Sequence, residues 1–131
     1  MAADPDPLER YRLHAEICKV LTDPKRLLLL AELRQEARTV GDLAAVVRTS
    51  LPNASQHLAV LRAAGLVTSR REGASVRYRL AEPAILDACD IVGAIVERRL
   101  AGRATAASAD ASLLASPPTT GARSPRALVA G

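Results

Sequence analysis

The sequence predicts a mainly α-helical domain with one small β-hairpin, in the order helix, turn, helix, wing. Two patterns and one motif predict it. Apolar residues recur at helical spacing over most of the chain before Gly102. The stretch VRYRL switches instead to two-residue alternation. Between these patterns stands SLPNASQHLAVLRAAGLV, residues 50–67, which reads as a short capped helix ending on glycine. Its front carries Ser, Asn, Gln and His in a chain otherwise rich in Ala, Leu and Val. With 131 residues the chain accommodates one domain around one core.

Each element follows in order. Residues 1–7 read as a flexible N-terminus, and a first helix is expected from about Pro7 to Leu21 on the apolar stripe Leu13, Ile17, Val20 and Leu21. Asp23-Pro24 marks a restart, an N-cap followed by the residue best suited to a first helical turn, so KRLLLLAELRQ is the second helix. Its run of leucines implies burial on more than one face. Thr39 and Asp42 stand at capping-box spacing and open a third helix, VGDLAAVVR. Ser50 caps a fourth, which runs to Ala64 and is stopped by Gly65. In LVTSRREGASVRYRL, Val76, Tyr78 and Leu80 alternate with Arg77 and Arg79 about a Glu72-Gly73-Ala74 turn, a two-stranded hairpin with one apolar and one cationic face. A last helix spans Pro83 to Leu100, with Ile85, Cys89, Val92 and Val96 on one stripe. The folded domain is therefore 8–101. Residues 102–131, mostly Ala, Ser, Thr, Pro and Gly, are expected to be a disordered tail that cannot bury enough surface to offset its ordering entropy.

Composition bounds the function. Lys and Arg number 18 against 14 acidic residues, a formal charge of +4, and this leans toward a polyanionic partner. Much of the excess is local: Arg48, Arg62, Arg70, Arg71, Arg77 and Arg79 face only Glu72 in the same segment. The acidic, proline-punctuated start MAADPDPLER does not suit a signal peptide, and the apolar runs LLLLA and IVGAIV are too short to span a bilayer. The expectation is a cytoplasmic protein without a membrane partner, whose Cys18 and Cys89 are reduced at rest.

On a helical wheel, Ala54, Leu58 and Leu61 of the fourth helix point to the core. Pro52, Asn53, Gln56 and Ala59 then lie opposite, with Ser55 and His57 on the flanks. An ordinary solvated face would look much the same on a lone helix. The adjacent cationic hairpin favours a DNA-reading role, because a helix in the major groove reads bases with its amino-terminal side chains. Asn and Gln amides pair bidentately with adenine, while Arg70, Arg71, Arg77 and Arg79 can reach phosphates. Ser50 and Arg62 complete the expected DNA-facing set. His57 suits packing or a phosphate contact.

HAEICKVLTDPKRLLLLAEL, TVGDLAAVV, SLPNASQHLAVLRAAGLV and REGASVRYRL resemble the successive motifs of the ArsR/SmtB winged-helix repressors, over about residues 8–100. The resemblance implies a winged helix-turn-helix, dimeric through its first and last helices, that sits on a double-stranded DNA operator and leaves when an inducer binds. By position, Ser55 and Gln56 fall where the family contacts bases and Arg77 falls in the wing. The sequence departs from the metal-sensing members, since VGDLAA carries no thiol and the last helix no histidine. No metal site or cofactor is therefore expected. His14, Cys18 and Cys89 are weak ligand candidates, and burial is the expected role for His14. Several family members without metal motifs respond to oxidants or reactive sulfur through paired thiols, which makes Cys18 and Cys89 a possible thiol switch. Two alternatives stand beside the repressor. One is a protein-interaction module using the same helix, and the other is a repressor with a non-thiol inducer. An enzyme is disfavoured, because no acid/base pair or activated nucleophile can be assembled.

Overall fold

Aspartate, serine, threonine and glycine set the helix boundaries. In the computed structural model, which describes residues 6–115, α1 (Pro7–Val20) starts where Asp6 Oδ1 accepts from Leu8 N at 2.6 Å and Glu9 N at 3.2 Å. The second helix, α2 (Pro24–Glu32), is capped in the same way by Asp23, which accepts from Lys25 N at 2.7 Å and Arg26 N at 3.3 Å. Thr39 Oγ1 caps α3 (Val40–Val47) by accepting from Asp42 N at 3.1 Å, and Ser50 Oγ caps α4 (Leu51–Ala63) by accepting from Asn53 N at 3.2 Å. Gly65, at φ 79°, turns the chain out of α4 in the left-handed conformation that glycine adopts without steric cost.

The hairpin is β2 (Val67–Glu72) and β3 (Ser75–Leu80), with Gly73 at φ 65° in its turn. The expected hairpin is present, and a third strand that was not expected, β1 (Arg38–Thr39), pairs antiparallel with β3, so the sheet order is β1-β3-β2. Two residues are too few to show a periodicity, and their pairing with Tyr78 and Arg77 is non-local.

The described residues divide into two units, the first ending at Cys89 and the second beginning at Asp90. The first has its core in Leu29, Leu30, Leu43, Leu58, Leu61 and Val67, all fully buried, with Leu86 from the first turn of the last helix. Burial of each such side chain contributes about 1.5–3 kcal/mol. The leucine run of α2 is buried on one side only, since Leu29 and Leu30 are enclosed while Leu27 and Leu28 remain 40% exposed. No residue of α1 is fully buried: of the expected stripe only Val20 and Leu21, at its C-terminal end, pack partly buried against the core, while Leu13 and Ile17 stay exposed.

The last helix, α5 (Ala84–Ala115), continues well past Leu100, which corrects the expected helix end and makes residues 102–115 helical. The physical reason is propensity. Ala is the strongest helix former, and extending an existing helix avoids the nucleation cost, so RATAASADA stays helical without a core to cover. The remainder of the expected tail, 116–131, and residues 1–5 of the expected flexible N-terminus lie outside the described residues.

Candidate nucleic-acid interface

The interface is built on the α3–α4 corner. Arg48 takes the left-handed conformation at φ 58°, ψ 52°, closing α3 so abruptly that Ser50 caps α4 two residues later. Three residues lock α4 to the core: Ala54, Leu58 and Leu61 have no exposed surface. Helical geometry then puts Pro52, Asn53, Gln56 and Ala59 on the solvent side, and they are exposed, as are Ser50 and Ser55. The Ser50 hydroxyl is committed to its cap. Asn53, Ser55 and Gln56 therefore form the outward polar row on the first two turns.

His57 stands apart from that row. It is half-buried and turned toward α2, with Nδ1 3.4 Å from Arg26 NH1. Arg26 in turn donates through Nε to the Val20 carbonyl at 2.6 Å. Burial raises the pKa of the half-buried Asp23 carboxyl, but the Lys25 and Arg26 backbone donors and the charges of His57 and Arg26 outweigh it. The net pKa sits below the ordinary value of 3.8.

The basic residues are arranged less uniformly than alternation implies. Arg62, near the end of α4, donates through NH1 to Ser69 Oγ at 3.0 Å and so ties the helix to β2. Arg70 lies directly across from Arg77, and Arg79 across from Thr68, which puts these three arginines on one face of the hairpin. Arg71 pairs with Val76 and belongs to the other face. Like charges directly opposite repel, and Glu72 answers them: Oε1 lies 3.3 Å from Arg77 Nε and Oε2 3.2 Å from Arg79 NH2. Arg77 also donates through NH1 to the Ala37 carbonyl at 3.4 Å, bracing the sheet against the loop before β1.

The sulfur-bearing residues lie elsewhere. Cys18 is exposed and Cys89 half-buried. Cys18 lines a groove of about 530 Å³ with Leu13, His14, Ile17, Ile85 and Ala88. The expected burial of His14 is corrected, because its ring is exposed and stacks on Tyr11 with centroids 6.3 Å apart. A helix with no buried face offers it no core to enter. Among the described residues no three His, Cys, Asp or Glu side chains gather as a metal site. Sequence spacing did not point to Arg26 or Glu72, whose partners are brought to them by the tertiary fold and by the strand register. The only local signal was a lone arginine at the head of a leucine run and a lone acid among arginines.

A corner of two helices, the second with an outward polar row, followed by an arginine-bearing hairpin, defines a winged helix-turn-helix protein. Comparison with known proteins places it more closely. Residues 23–69 match the bacterial regulatory protein, arsR family. The chain is 38% identical over 78 residues to the HTH-type transcriptional repressor SmtB of Mycobacterium tuberculosis, which covers 60% of this chain and 58% of that repressor. It thus spans less than two thirds of that relative's length. The crystal structure of M. tuberculosis Rv0081 is 37% identical, with a TM-score of 0.64, covering 76% of this chain and 99% of that one. The homodimeric winged helix-turn-helix DNA-binding domain Mb0332 of Mycobacterium bovis, described as a possible ArsR-family regulator, is 31% identical with a TM-score of 0.64, covering 76% and 94%. The chain belongs to the bacterial regulatory protein, arsR family.

Proposed function

We propose that the protein is a homodimeric, DNA-binding transcriptional repressor that docks α4 in the major groove and sets its wing against the phosphate backbone. One observation carries the reading: Asn53, Ser55 and Gln56 project from a helix whose opposite face, Ala54, Leu58 and Leu61, is fully buried. A rigidly seated helix with amide side chains outward is what base reading requires. Support comes also from relatives named as a transcriptional repressor and as a homodimeric DNA-binding domain. Ser50 and Pro52 shape the start of that helix, while Arg62, Arg70, Arg71, Arg77 and Arg79 supply the positive field. The protein's role is regulatory and not catalytic, and its place is with the DNA in the cytoplasm. No helix among the described residues is long and apolar enough to cross a membrane.

The test is a gel-shift titration against the protein's own upstream region. Gln56→Ala should relax discrimination at one base position per half-site by roughly 1 to 3 kcal/mol. Uniform loss against every sequence would remove Gln56 from base reading. Release of the operator is assigned to an inducing signal at the thiols, an oxidant, reactive sulfur or a thiophilic ion. The solvent-open Cys18 on its groove wall supports this. Cys18→Ser and Cys89→Ser should each abolish release by a mild oxidant. If both variants still dissociate, the inducer acts elsewhere.

A further inference from the structure

We infer that Arg26 and His57 form a pair that fixes the pose of the reading helix, which makes His57 a positioning residue for DNA recognition and not a DNA contact. The inference rests on the DNA-binding reading above. Arg26 ties three elements together: its Nε donates to Val20 O at the end of α1 at 2.6 Å, its backbone N–H donates to the Asp23 cap at 3.3 Å, and its NH1 lies 3.4 Å from His57 Nδ1. A guanidinium has donors and no acceptor, so a hydrogen bond in this contact runs from Arg26 NH1 to the Nδ1 lone pair of a neutral imidazole. The Asp23 carboxylate, held low chiefly by the backbone donors of Lys25 and Arg26 and in part by the Arg26 charge, gives the guanidinium a counter-ion.

The geometry explains why such a link is needed. The buried face of α4, Ala54, Leu58 and Leu61, sets which side of the helix points outward, but non-directional apolar contact leaves small rotations about the axis cheap. A hydrogen bond from a charged donor is directional. His57 follows Gln56 directly and lies four residues beyond Asn53, on the flank between buried and exposed faces. Fixing the imidazole therefore fixes the angle at which both amides leave the helix. Bidentate base pairing tolerates little angular error, whereas a phosphate contact tolerates much more. Loss of the pair should consequently degrade sequence discrimination and leave non-specific binding almost untouched.

The test uses the full chain and two labelled duplexes of equal length, one enriched from a random pool by the wild-type protein and one scrambled. His57→Asn keeps an acceptor where Nδ1 stands, His57→Leu removes it, and Arg26→Met removes the donor. His57→Leu and Arg26→Met are expected to lower the ratio of enriched to scrambled affinity about tenfold, with the salt slope on the scrambled duplex unchanged. His57→Asn should recover most of the ratio, and the double variant Arg26→Met/His57→Leu should be no worse than either single one. Thermal melts confirm that each variant is folded. If His57→Leu does not fold, Arg26→Met and His57→Asn still give the comparison. Equal loss on both duplexes with a shallower salt slope would make His57 a phosphate contact and overturn the inference. Full discrimination in His57→Leu, or additive losses in the double variant, would overturn it too. If the wild type enriches no sequence, the DNA-reading function falls, and the inference with it.

Discussion

Glu72 decides how much of the wing's charge reaches DNA. Each of its carboxylate oxygens engages one arginine, Arg77 at 3.3 Å and Arg79 at 3.2 Å, and all three side chains remain partly exposed. Solvent-exposed pairs of this kind are worth only about 0–1 kcal/mol, so a phosphate can displace the carboxylate, at the cost of leaving an anion beside the backbone. Glu72→Gln should raise affinity for a random duplex several-fold and steepen the salt dependence by about one unit per protomer, read from titrations between 50 and 200 mM salt. Arg70→Ala should reduce the slope by about one unit. Arg77→Ala, for which the sequence alone suggests the same change, should reduce it by less, because that guanidinium is already engaged by Glu72 and the Ala37 carbonyl. Alternation alone identified the cationic face but could not show that one acid serves two arginines on it. Asp23 supplies a pH handle. Its folded pKa is lowered, so its contribution to stability is complete above the unfolded value of 3.8 and is lost as acid approaches the lower folded value. The melting-temperature advantage of wild type over Asp23→Asn should therefore be present at pH 6 and shrink steadily below 3.8. An advantage independent of pH would mean the carboxylate charge plays no part in the cap.

At the scale of elements, the α3–α4 corner depends on one strained residue and one packed face. Arg48 holds a left-handed conformation without being glycine, at a cost on the order of 1 kcal/mol, and a β-branched side chain there is costlier still. Arg48→Gly should be tolerated or mildly stabilising, whereas Arg48→Val should lower the melting temperature, and equal melts for the two would show the corner to be relaxed. Leu58→Ala removes a side chain with no exposed surface and should cost about 2–5 kcal/mol in chemical denaturation. The elements legible in the sequence were those whose boundaries are set by local chemistry. Asp23, Thr39, Ser50 and Gly65 each act within a few residues of themselves, and all four behave as their types require. What was not legible depends on partners distant in the chain. Strand β1 exists only because Arg38 and Thr39 meet Tyr78 and Arg77. The end of α5 was misplaced for a different reason, because weighing burial alone leaves out the helix propensity of an alanine-rich segment.

For the whole molecule, the decisive feature is apolar surface that the single chain leaves uncovered. On α1, Leu8, Tyr11, Leu13 and Ile17 are all exposed and nothing is buried, which is unusual for a helix carrying that many large apolar side chains. On α5, Ile91 is 70% exposed and Val92 58%, with Ile95, Val96 and Leu100 also open. The excess on the last helix was already apparent from its stripe. That α1 leaves Leu8, Tyr11, Leu13 and Ile17 open and packs only its C-terminal end on the core emerges only from the packing, because helical periodicity marks an apolar stripe without saying whether its cover comes from the same chain. A second copy of the chain supplies that cover in the dimer we propose, and a stable interface of this kind needs roughly 1,200–2,000 Å² of buried surface. The consequence for DNA binding is geometric. Two reading helices must address half-sites about one helical turn apart, and a lone protomer gains no second grip. The full chain at micromolar concentration should therefore sediment as a dimer. Val92→Glu, which places a charge where apolar contact is needed, should shift it to monomer and weaken operator binding by at least tenfold while its isolated-chain helicity stays near that of the wild type. A wild-type chain that sediments as a monomer, or a dimer indifferent to charges at Val92 and Ile17 alike, would mean that these faces are covered by something other than a second copy.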